Sequence, residues 1–130
     1  MLFFIIAPGT LYLIKGDIYV SMHKEDEAIE CYKNVLEIYP EDIEILYTSA
    51  KTFFKIGEYE MSYQLMVKAY EIFDGEWNPE ALQLLPESLL KLGRYQEAVE
   101  WCDRIIEENK DHDDIVKIIN DYREEIEEFI

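Results

Sequence analysis

The sequence predicts an all-α protein made of three helical hairpins and a closing helix. One reason is an internal repeat, in which the segment KIGEY at 55–59 recurs as KLGRY at 91–95, an offset of 36 residues. A fixed period of roughly 20 to 50 residues is typical of proteins built from stacked repeats. The other reason is that apolar residues recur at spacings of three and four within each unit, which indicates amphipathic helices.

A second set of pairs extends the repeat toward the start of the chain. Gly16 pairs with Ala50, and Ala28 with Ser62, each at an offset of 34 residues. We expect a single domain, 1–130, with an apolar segment at 1–8, repeats at 9–42, 43–76 and 79–112, and a capping helix at 112–130. Helices are predicted near 10–22, 25–38, 42–56, 59–73, 79–92, 95–109 and 112–129.

Turn-forming residues justify the ends of these helices in chain order. Pro40 lies where we expect the second helix to end, because proline lacks the backbone N–H that a helix interior uses and crowds the preceding turn. Gly57 and Gly93 directly follow the third and fifth helices, where a left-handed residue closes the last turn and glycine carries no side-chain penalty. Asn78 before Pro79 is typical of a helix cap followed by a first-turn proline. The last helix carries one apolar stripe, which is typical of a terminal cap: Ile115, Ile118, Ile119, Tyr122 and Ile126.

The composition restricts both the partners and the compartment. The chain has 29 acidic and 12 basic side chains, a formal net charge of −17, which repels phosphate backbones and anionic lipid headgroups. We therefore expect no nucleic-acid partner and no membrane partner. Cys31 and Cys102 lie far apart inside predicted helices and are interpreted as reduced core residues, which suits a cytoplasmic protein.

The sequence begins with an apolar segment, Met1 to Ala7. A secretory signal would carry a basic start, yet the first basic residue is Lys15, and a membrane span needs about 20 apolar residues. We expect this segment to dock on the first hairpin. The alternatives are the remnant of a longer chain and a targeting segment.

The pattern of large and small residues resembles the tetratricopeptide repeat family over roughly 9–110. The positions that match its signature are Tyr12, Gly16, Tyr19, Ala28, Tyr32 and Pro40 in the first unit, Leu46, Ala50, Phe53, Gly57, Tyr59, Ser62 and Ala69 in the second, and Leu82, Leu85, Leu89, Gly93, Tyr95 and Ala98 in the third. The resemblance implies a right-handed α-α superhelix of three hairpins with a C-terminal capping helix. The small residues would let paired helices approach closely.

The resemblance also implies a concave groove, lined by the first helix of each hairpin, that grips an extended peptide or a partner helix. The corresponding residues here are Leu13, Asp17 and Val20 in the first unit, Tyr47, Lys51, Phe54 and Lys55 in the second, and Gln83, Glu87, Leu90 and Lys91 in the third. One hypothesis is that the two aromatic residues contact apolar ligand side chains while the lysines attract its carboxylates. The alternative is that the lysines solvate the surface and the aromatic residues pack against neighbouring repeats.

One group within the family is disfavoured by the same comparison. Tetratricopeptide domains that hold the carboxy-terminal tails of heat-shock chaperones use a lysine and asparagine clamp on their first helices. Leu13, Asp17 and Thr48 occupy the corresponding places here. The clamp is absent, so we do not expect a chaperone-tail cochaperone.

No catalytic constellation is found in the sequence. It has no glycine-rich phosphate loop, no nucleophile elbow and no paired metal-binding motif. His112, which lies among three aspartates, is interpreted as part of a helix start, because acidic residues stabilise the positive end of a helix. We expect no enzyme, no catalytic residue, no metal and no cofactor.

The predicted function is therefore a protein-interaction scaffold or adaptor with a protein or peptide partner. One alternative is a self-association module that forms a homodimer, in which the apolar N-terminal segment with Leu11 and Ile14 packs against a second copy. Another is a non-catalytic accessory domain of an enzyme complex. The acidic residues of 107–130 offer a further surface, which either steers a basic partner or keeps the helical stack in water.

Overall fold

The computed structural model describes residues 8–130, and the predicted docking of Met1 to Ala7 lies outside these residues. Seven helices and no strand are present in the described range. Every predicted helix is confirmed, with bounds that differ by at most two residues. The helices are α1 (Pro8–Ser21), α2 (Glu25–Ile38), α3 (Ile43–Lys55), α4 (Tyr59–Ile72), α5 (Pro79–Lys91), α6 (Tyr95–Glu108) and α7 (Asp113–Glu127).

The helices form two rows. Helices α1 and α2, α3 and α4, and α5 and α6 pack as hairpins. The first helices also follow one another directly, since α1 contacts α3, α3 contacts α5, and α5 contacts α7. Each second helix packs on the first helix that comes next in the chain. The result is an all-α helical-repeat solenoid, because each unit contacts mainly its neighbours.

Glycine closes two of the hairpin turns, as predicted. Gly57 and Gly93 have φ values of 89° and 75°, in the left-handed region. In the first of these turns, the Glu58 N–H donates to the Phe53 carbonyl at 2.8 Å, and the Gly57 N–H donates to the Phe54 carbonyl at 3.1 Å. These bonds satisfy carbonyls at the end of α3 that have no partner within the helix.

The predicted cap of α5 is confirmed as well. The Asn78 side chain accepts a hydrogen bond from the Glu80 N–H at 2.9 Å, and Pro79 is the first residue of the helix. Asp42 caps α3 in the same way, accepting from the Ile45 N–H at 3.1 Å. Such caps satisfy backbone donors of the first turn and fix where the helix begins.

Close approach of the paired helices depends on the predicted small residues. A Cβ atom on Gly16 would lie 2.7 Å from Cε2 of the Tyr32 ring, so α1 and α2 touch at this glycine. Ala28, Ala50 and Ala98 are fully buried. Large side chains fill the space beside them, with the rings of Tyr32 and Phe53 5.7 Å apart between centroids. This aromatic contact packs α2 of the first hairpin against α3 of the second.

Helix α7 closes the C-terminal end of the stack. It packs on both α5 and α6. Its apolar stripe is buried as predicted, apart from Ile118, which is half-buried. The guanidinium of Arg123 on α7 is 2.5 Å from a carboxylate oxygen of Asp103 on α6, which ties the two helices together at the surface. The acidic residues of α7 face outward, so the helix covers the core on one side only.

Candidate interaction groove

The predicted groove residues lie at equivalent positions of three successive first helices. Leu13, Tyr47 and Gln83 share one repeat position, and the others follow at the next turns of α1, α3 and α5. These helices contact one another in order, so the predicted residues lie on neighbouring helices of one row. The exposure of the predicted residues differs from helix to helix.

On α1, the predicted groove residues make contacts within the protein. Leu13 and Val20 are half-buried and pack against the core cluster that contains Tyr32. The Tyr32 hydroxyl donates a hydrogen bond to the exposed Asp17 carboxylate. Burial raises the pKa of Tyr32, and the hydrogen bond to Asp17 raises it further. Asp17 therefore serves as the partner of a buried hydroxyl in addition to any role at the surface.

The α3 segment combines aromatic rings with exposed cations. Tyr47 and Phe54 are half-buried and pack against the larger core cluster, and Phe54 makes an edge-to-face contact with Tyr59. Burial raises the pKa of Tyr47, with a further contribution from Glu80. The Lys51 ammonium lies 4.8 Å from the centroid of the Tyr47 ring. The two rings thus pack against the neighbouring repeat, and part of their surface stays accessible. For Tyr47, that accessible surface lies beside Lys51.

The α5 segment is mixed in charge. Gln83 and Leu90 are half-buried, and Lys91 is exposed. Glu87 is half-buried, and this burial raises the pKa of its carboxyl group, while Lys91 one turn later lowers it. A carboxylate that is partly removed from water in this way is favoured by a nearby positive charge.

The arginines and the predicted groove lysines differ in their ion pairs. All three arginines form ion pairs with carboxylates: Arg94 with Glu60 and Glu97, Arg104 with Glu71 and Glu108, and Arg123 with Asp103 and Glu127. In contrast, no carboxylate of residues 8–130 forms an ion pair with Lys51, Lys55 or Lys91. The groove lysines therefore retain their capacity to bind an acidic ligand.

Helix α7 lies beside one of the predicted groove residues, Gln83, which the sequence did not indicate. A cleft of about 190 Å³ lies between α5 and α7 and is lined by Gln83, Ile118, Asp121, Tyr122 and Glu125. The available signal was positional, since α7 follows α6 as the first helix of a fourth hairpin would. The acidic residues of α7 were interpreted only as one outward face, but two of them lie at this cleft.

A separate pocket lies beside α4 and α6, and Arg104 is part of its lining. Tyr70, Trp77 and Arg104 belong to a lining that encloses about 280 Å³. The Arg104 guanidinium carbon lies 5.5 Å from the Tyr70 ring centroid and 4.6 Å from that of Trp101. Arg104 therefore already makes cation–π contacts with these rings and ion pairs with Glu71 and Glu108.

Chemistry that would need a metal or a reactive thiol has no support in the described residues. Between residues 8 and 130, no group of three histidine, cysteine or acidic side chains is placed to hold a metal ion. Cys31 and Cys102 are buried and unpaired with each other, as predicted. Burial raises the pKa of Cys102 to about 12, which keeps its thiol protonated. Over the same residues, no helix has both the length and the apolar character to cross a membrane.

Two curated proteins are similar to this chain in sequence. The Arabidopsis thaliana protein CTR9 homolog is 30% identical over 108 residues, and a TPR repeat-containing protein of Methanocaldococcus jannaschii is 31% identical over 80 residues. These alignments cover 82% and 62% of this chain, but only 9% and 14% of the two relatives. The chain therefore spans a small part of either protein.

Solved structures give the same fold at low sequence identity. The N-terminal domain of stress-induced protein-1 from C. elegans has a TM-score of 0.65 at 19% identity, with 94% of this chain and 99% of that domain covered. The first TPR domain of Spaghetti (RPAP3), solved with the HSP90 peptide SRMEEVD, has a TM-score of 0.64 at 18% identity, with 92% and 90% covered.

Family profiles agree with the repeat pattern and the structure. A profile described as TPR repeat matches residues 16–57, and one described as tetratricopeptide repeat matches residues 79–112. Together they cover more than half of the chain. The chain belongs to the tetratricopeptide repeat family, with three repeats and a C-terminal capping helix.

Proposed function

We propose that this chain is a non-catalytic scaffold or adaptor that binds a peptide segment or a partner helix along the faces of α1, α3 and α5. The tetratricopeptide repeat is a protein-interaction fold, and one structural neighbour was solved with a bound peptide. The proposed contacts are those predicted from the repeat positions, with Tyr47 and Phe54 against apolar ligand side chains and Lys51, Lys55 and Lys91 against carboxylates. We also propose that the protein acts in the cytoplasm.

The observation that carries this proposal is the position of lysines without ion pairs beside half-buried aromatic rings. Other exposed lysines, such as Lys33 and Lys68, also form no ion pair in the described residues, but the Lys51 ammonium lies 4.8 Å from the centroid of the Tyr47 ring. Lys51, Lys55 and Lys91 form no ion pair with the described residues, although every arginine forms two. Lysines left in this state beside half-buried aromatic rings provide both parts of a binding site for an acidic, partly apolar segment.

The ligand proposed here differs from the one bound by the structural neighbour. The SRMEEVD peptide belongs to the Spaghetti (RPAP3) domain, whose 18% identity to this chain supports the fold alone. At the clamp positions this chain has Leu13, Asp17 and Thr48. Because Asp17 is acidic and already accepts from Tyr32, it would repel a terminal carboxylate. We expect the SRMEEVD peptide to bind weakly or not at all.

A selection from random dodecapeptides displayed on phage tests the groove directly. The intact chain should enrich peptides that combine acidic and apolar residues, and a synthetic copy of an enriched peptide should bind in isothermal titration calorimetry. The Lys51→Glu, Lys55→Glu double variant should bind that peptide at least about tenfold more weakly, because two favourable charge contacts become repulsive.

The matched control changes two lysines of the second helices. Lys33 on α2 and Lys68 on α4 are exposed and form no ion pair in the described residues, so Lys33→Glu with Lys68→Glu alters the net charge equally. The control variant should retain the peptide. If both variants lose affinity for the peptide equally, the effect is one of net charge. If neither variant loses affinity, the peptide binds outside the groove.

A second candidate function, self-association, is favoured by one exposed surface. Four large apolar side chains on or just after α1 are 46% to 54% exposed: Leu11, Ile14, Ile18 and Met22. Their spacing of three, four and four places them on one face of the helix. At the equivalent positions of α5, Ala81, Leu84 and Ser88 are buried. The α1 face is therefore a stacking face that no described residue covers.

Charge favours a second copy as the occupant of this face. Residues 8–21 contain one lysine and one aspartate, so α1 is formally neutral in a chain of net charge −17. Two copies can meet there with less repulsion than elsewhere. Sedimentation velocity should show a dimer whose dissociation constant rises at least tenfold in an Ile14→Glu, Ile18→Glu variant. A control with Ile38→Glu and Ile72→Glu, both exposed on other helices, should stay dimeric. A monomer at all concentrations would contradict this second function.

A further inference from the structure

The link between α4 and α5 contains an aspartate followed directly by a glycine. Asp74 and Gly75 lie in residues 73–78, which connect the second hairpin to the third, and both are exposed. They also line the pocket beside α4 and α6, so water reaches both residues. An aspartyl–glycyl bond in such a segment can cyclise, because the glycine nitrogen carries no bulky neighbour and can reach the carboxyl carbon of the aspartate.

Neither reacting group is held by the rest of the described chain. Within residues 8–130, the Gly75 N–H donates no hydrogen bond, and the Asp74 carboxylate accepts none. That carboxylate also forms no ion pair over the same residues. Because no such contact restrains them, the nitrogen and the carboxyl carbon can approach each other.

The other aspartates are restrained. The Asp42 side chain accepts from the Ile45 N–H at 3.1 Å as the cap of α3, and a β-branched residue follows it. After Asp111, the His112 N–H donates to the Asn109 carbonyl at 2.9 Å. All remaining aspartates lie within helices, where the backbone is fixed. The aspartate before Gly75 therefore combines an open backbone with an unhindered neighbour, which the others do not.

Packing within the link favours glycine at this position. A Cβ atom on Gly75 would lie 2.5 Å from Cζ of Phe73, whose ring contacts that of Trp77 at 4.9 Å between centroids. A larger residue would have to displace the Phe73 ring. The close approach that favours glycine thus also leaves the Gly75 nitrogen without a side chain that would hinder its attack.

We propose that Asp74 is a site of spontaneous conversion to isoaspartate. The Gly75 nitrogen attacks Cγ of the protonated Asp74 carboxyl group, and the N–H proton leaves with the carboxyl hydroxyl as water, which closes a succinimide ring. Water then adds to the main-chain carbonyl of the ring and breaks its bond to the nitrogen. The peptide bond now runs through the side-chain carbonyl, and a free α-carboxylate remains. Water is lost once and gained once, so the reaction needs no oxidant, reductant or cofactor.

The modification adds one methylene group to the main chain just before Trp77. The Trp77 ring packs on Phe73 and lies 6.2 Å from the Tyr70 ring between centroids, and the next residue, Asn78, caps α5. A longer link should displace the ring contacts and the cap. Isomerisation should therefore loosen the third hairpin from the second.

Incubation of the folded chain at neutral pH and physiological temperature tests the site. Electron-transfer dissociation of its peptides distinguishes isoaspartate from aspartate, because the extra main-chain methylene changes the masses of the backbone fragments. Isoaspartate should accumulate at Asp74 and stay below detection at Asp42 and Asp111 over the same period. A synthetic peptide of residues 70–80 shows that the assay detects the product. No accumulation at Asp74 in the folded chain, or equal accumulation at all three aspartates, would overturn the inference.

Two variants at the exposed Asp74 test the chemistry and its effect on the link. Asp74→Asn passes through the same succinimide with loss of ammonia, so it should give the same isoaspartate sooner. Asp74→Glu should give none, because glutamate must close a larger and less favourable ring. The thermal midpoint of the aged wild type should fall below that of the fresh protein, whereas the midpoint of aged Asp74→Glu should not change. Absence of isoaspartate in Asp74→Asn, or an equal fall of the midpoint in wild type and Asp74→Glu, would contradict the proposal.

Discussion

His23 and Gly57 have the same left-handed backbone at the same position of successive hairpins, with φ values of 59° and 89°. Gly93 occupies the position in the third hairpin. In all three turns the residue that follows donates its N–H to a carbonyl five residues earlier, as Lys24 does to Tyr19 at 2.8 Å. The first repeat therefore keeps the turn geometry of the others with a residue that adopts it at a cost.

Replacing His23 with glycine should stabilise the protein. Removing the left-handed strain of His23 should raise the free energy of unfolding by about 1 to 2 kcal/mol. The greater freedom of glycine in the unfolded chain should lower it by about 0.4 to 1 kcal/mol. We expect the free energy of unfolding to rise by about 0.5 to 1 kcal/mol, measured by urea denaturation. Gly57→Ala is the reverse experiment, because an added Cβ there meets no atom within 4 Å. It should lower stability by about 1 kcal/mol, and a stable Gly57→Ala protein would contradict the strain argument.

Gly16→Ala should destabilise the first hairpin by steric overlap. The added Cβ would lie 2.7 Å from Cε2 of Tyr32, a ring that is fully buried and packed against Phe53. Overpacking of this kind typically costs about 1 to 3 kcal/mol, more than the roughly 1 kcal/mol that alanine gains over glycine in a helix. Thermal denaturation followed by circular dichroism should show a lower midpoint. In a Tyr32→Leu background the same change should cost less, and an equal cost in both backgrounds would show that the ring is not the obstacle.

The fold could be predicted from the sequence because its determinants are local. Gly57, Gly93 and the Asn78–Pro79 pair fix helix ends through backbone conformation and capping, which depend on a few neighbouring residues. The depth of side chains in the groove depends instead on which residues of other helices cover them. For Tyr47 and Phe54 the sequence left two interpretations open, contact with a ligand or packing against neighbouring repeats. The two rings are half-buried because they pack against the larger core cluster.

The α7 side of the groove could not be predicted for a related reason. Spacing placed Ile118 and Tyr122 on the apolar stripe of α7 and the acidic residues on the opposite face. The cleft that brings Glu125 beside Tyr122 depends on how α7 packs across α5, which is a tertiary property. The order of the helices indicated that α7 could follow α5 in the row of first helices, but the sequence gave no repeat pairs within α7 that would show which of its side chains lie beside α5.

Glu87→Gln should stabilise the protein at neutral pH. Burial raises the pKa of Glu87 above its value of 4.5 in an exposed setting, so the folded state favours the protonated form. The corresponding stability is present below the unfolded-state pKa and is lost as the pH rises through the folded-state pKa. Glutamine stays neutral, so its thermal midpoint should exceed that of the wild type at pH 7, and the difference should shrink toward pH 4. The exposed Glu30→Gln serves as the control for net charge, and a matching pH profile in that variant would contradict a specific role for burial of Glu87.

Tyr122→Phe and Tyr32→Phe should change stability in opposite directions. The Tyr32 hydroxyl donates to Asp17, so its removal should lower the free energy of unfolding by about 1 kcal/mol. The Tyr122 hydroxyl is buried without a partner in the described residues, a state that costs about 1 to 3 kcal/mol, so phenylalanine should leave stability unchanged or raise it by about 1 kcal/mol. Urea denaturation of the two variants measures both effects on one scale. A loss at Tyr122 equal to that at Tyr32 would show that its hydroxyl is bonded in solution.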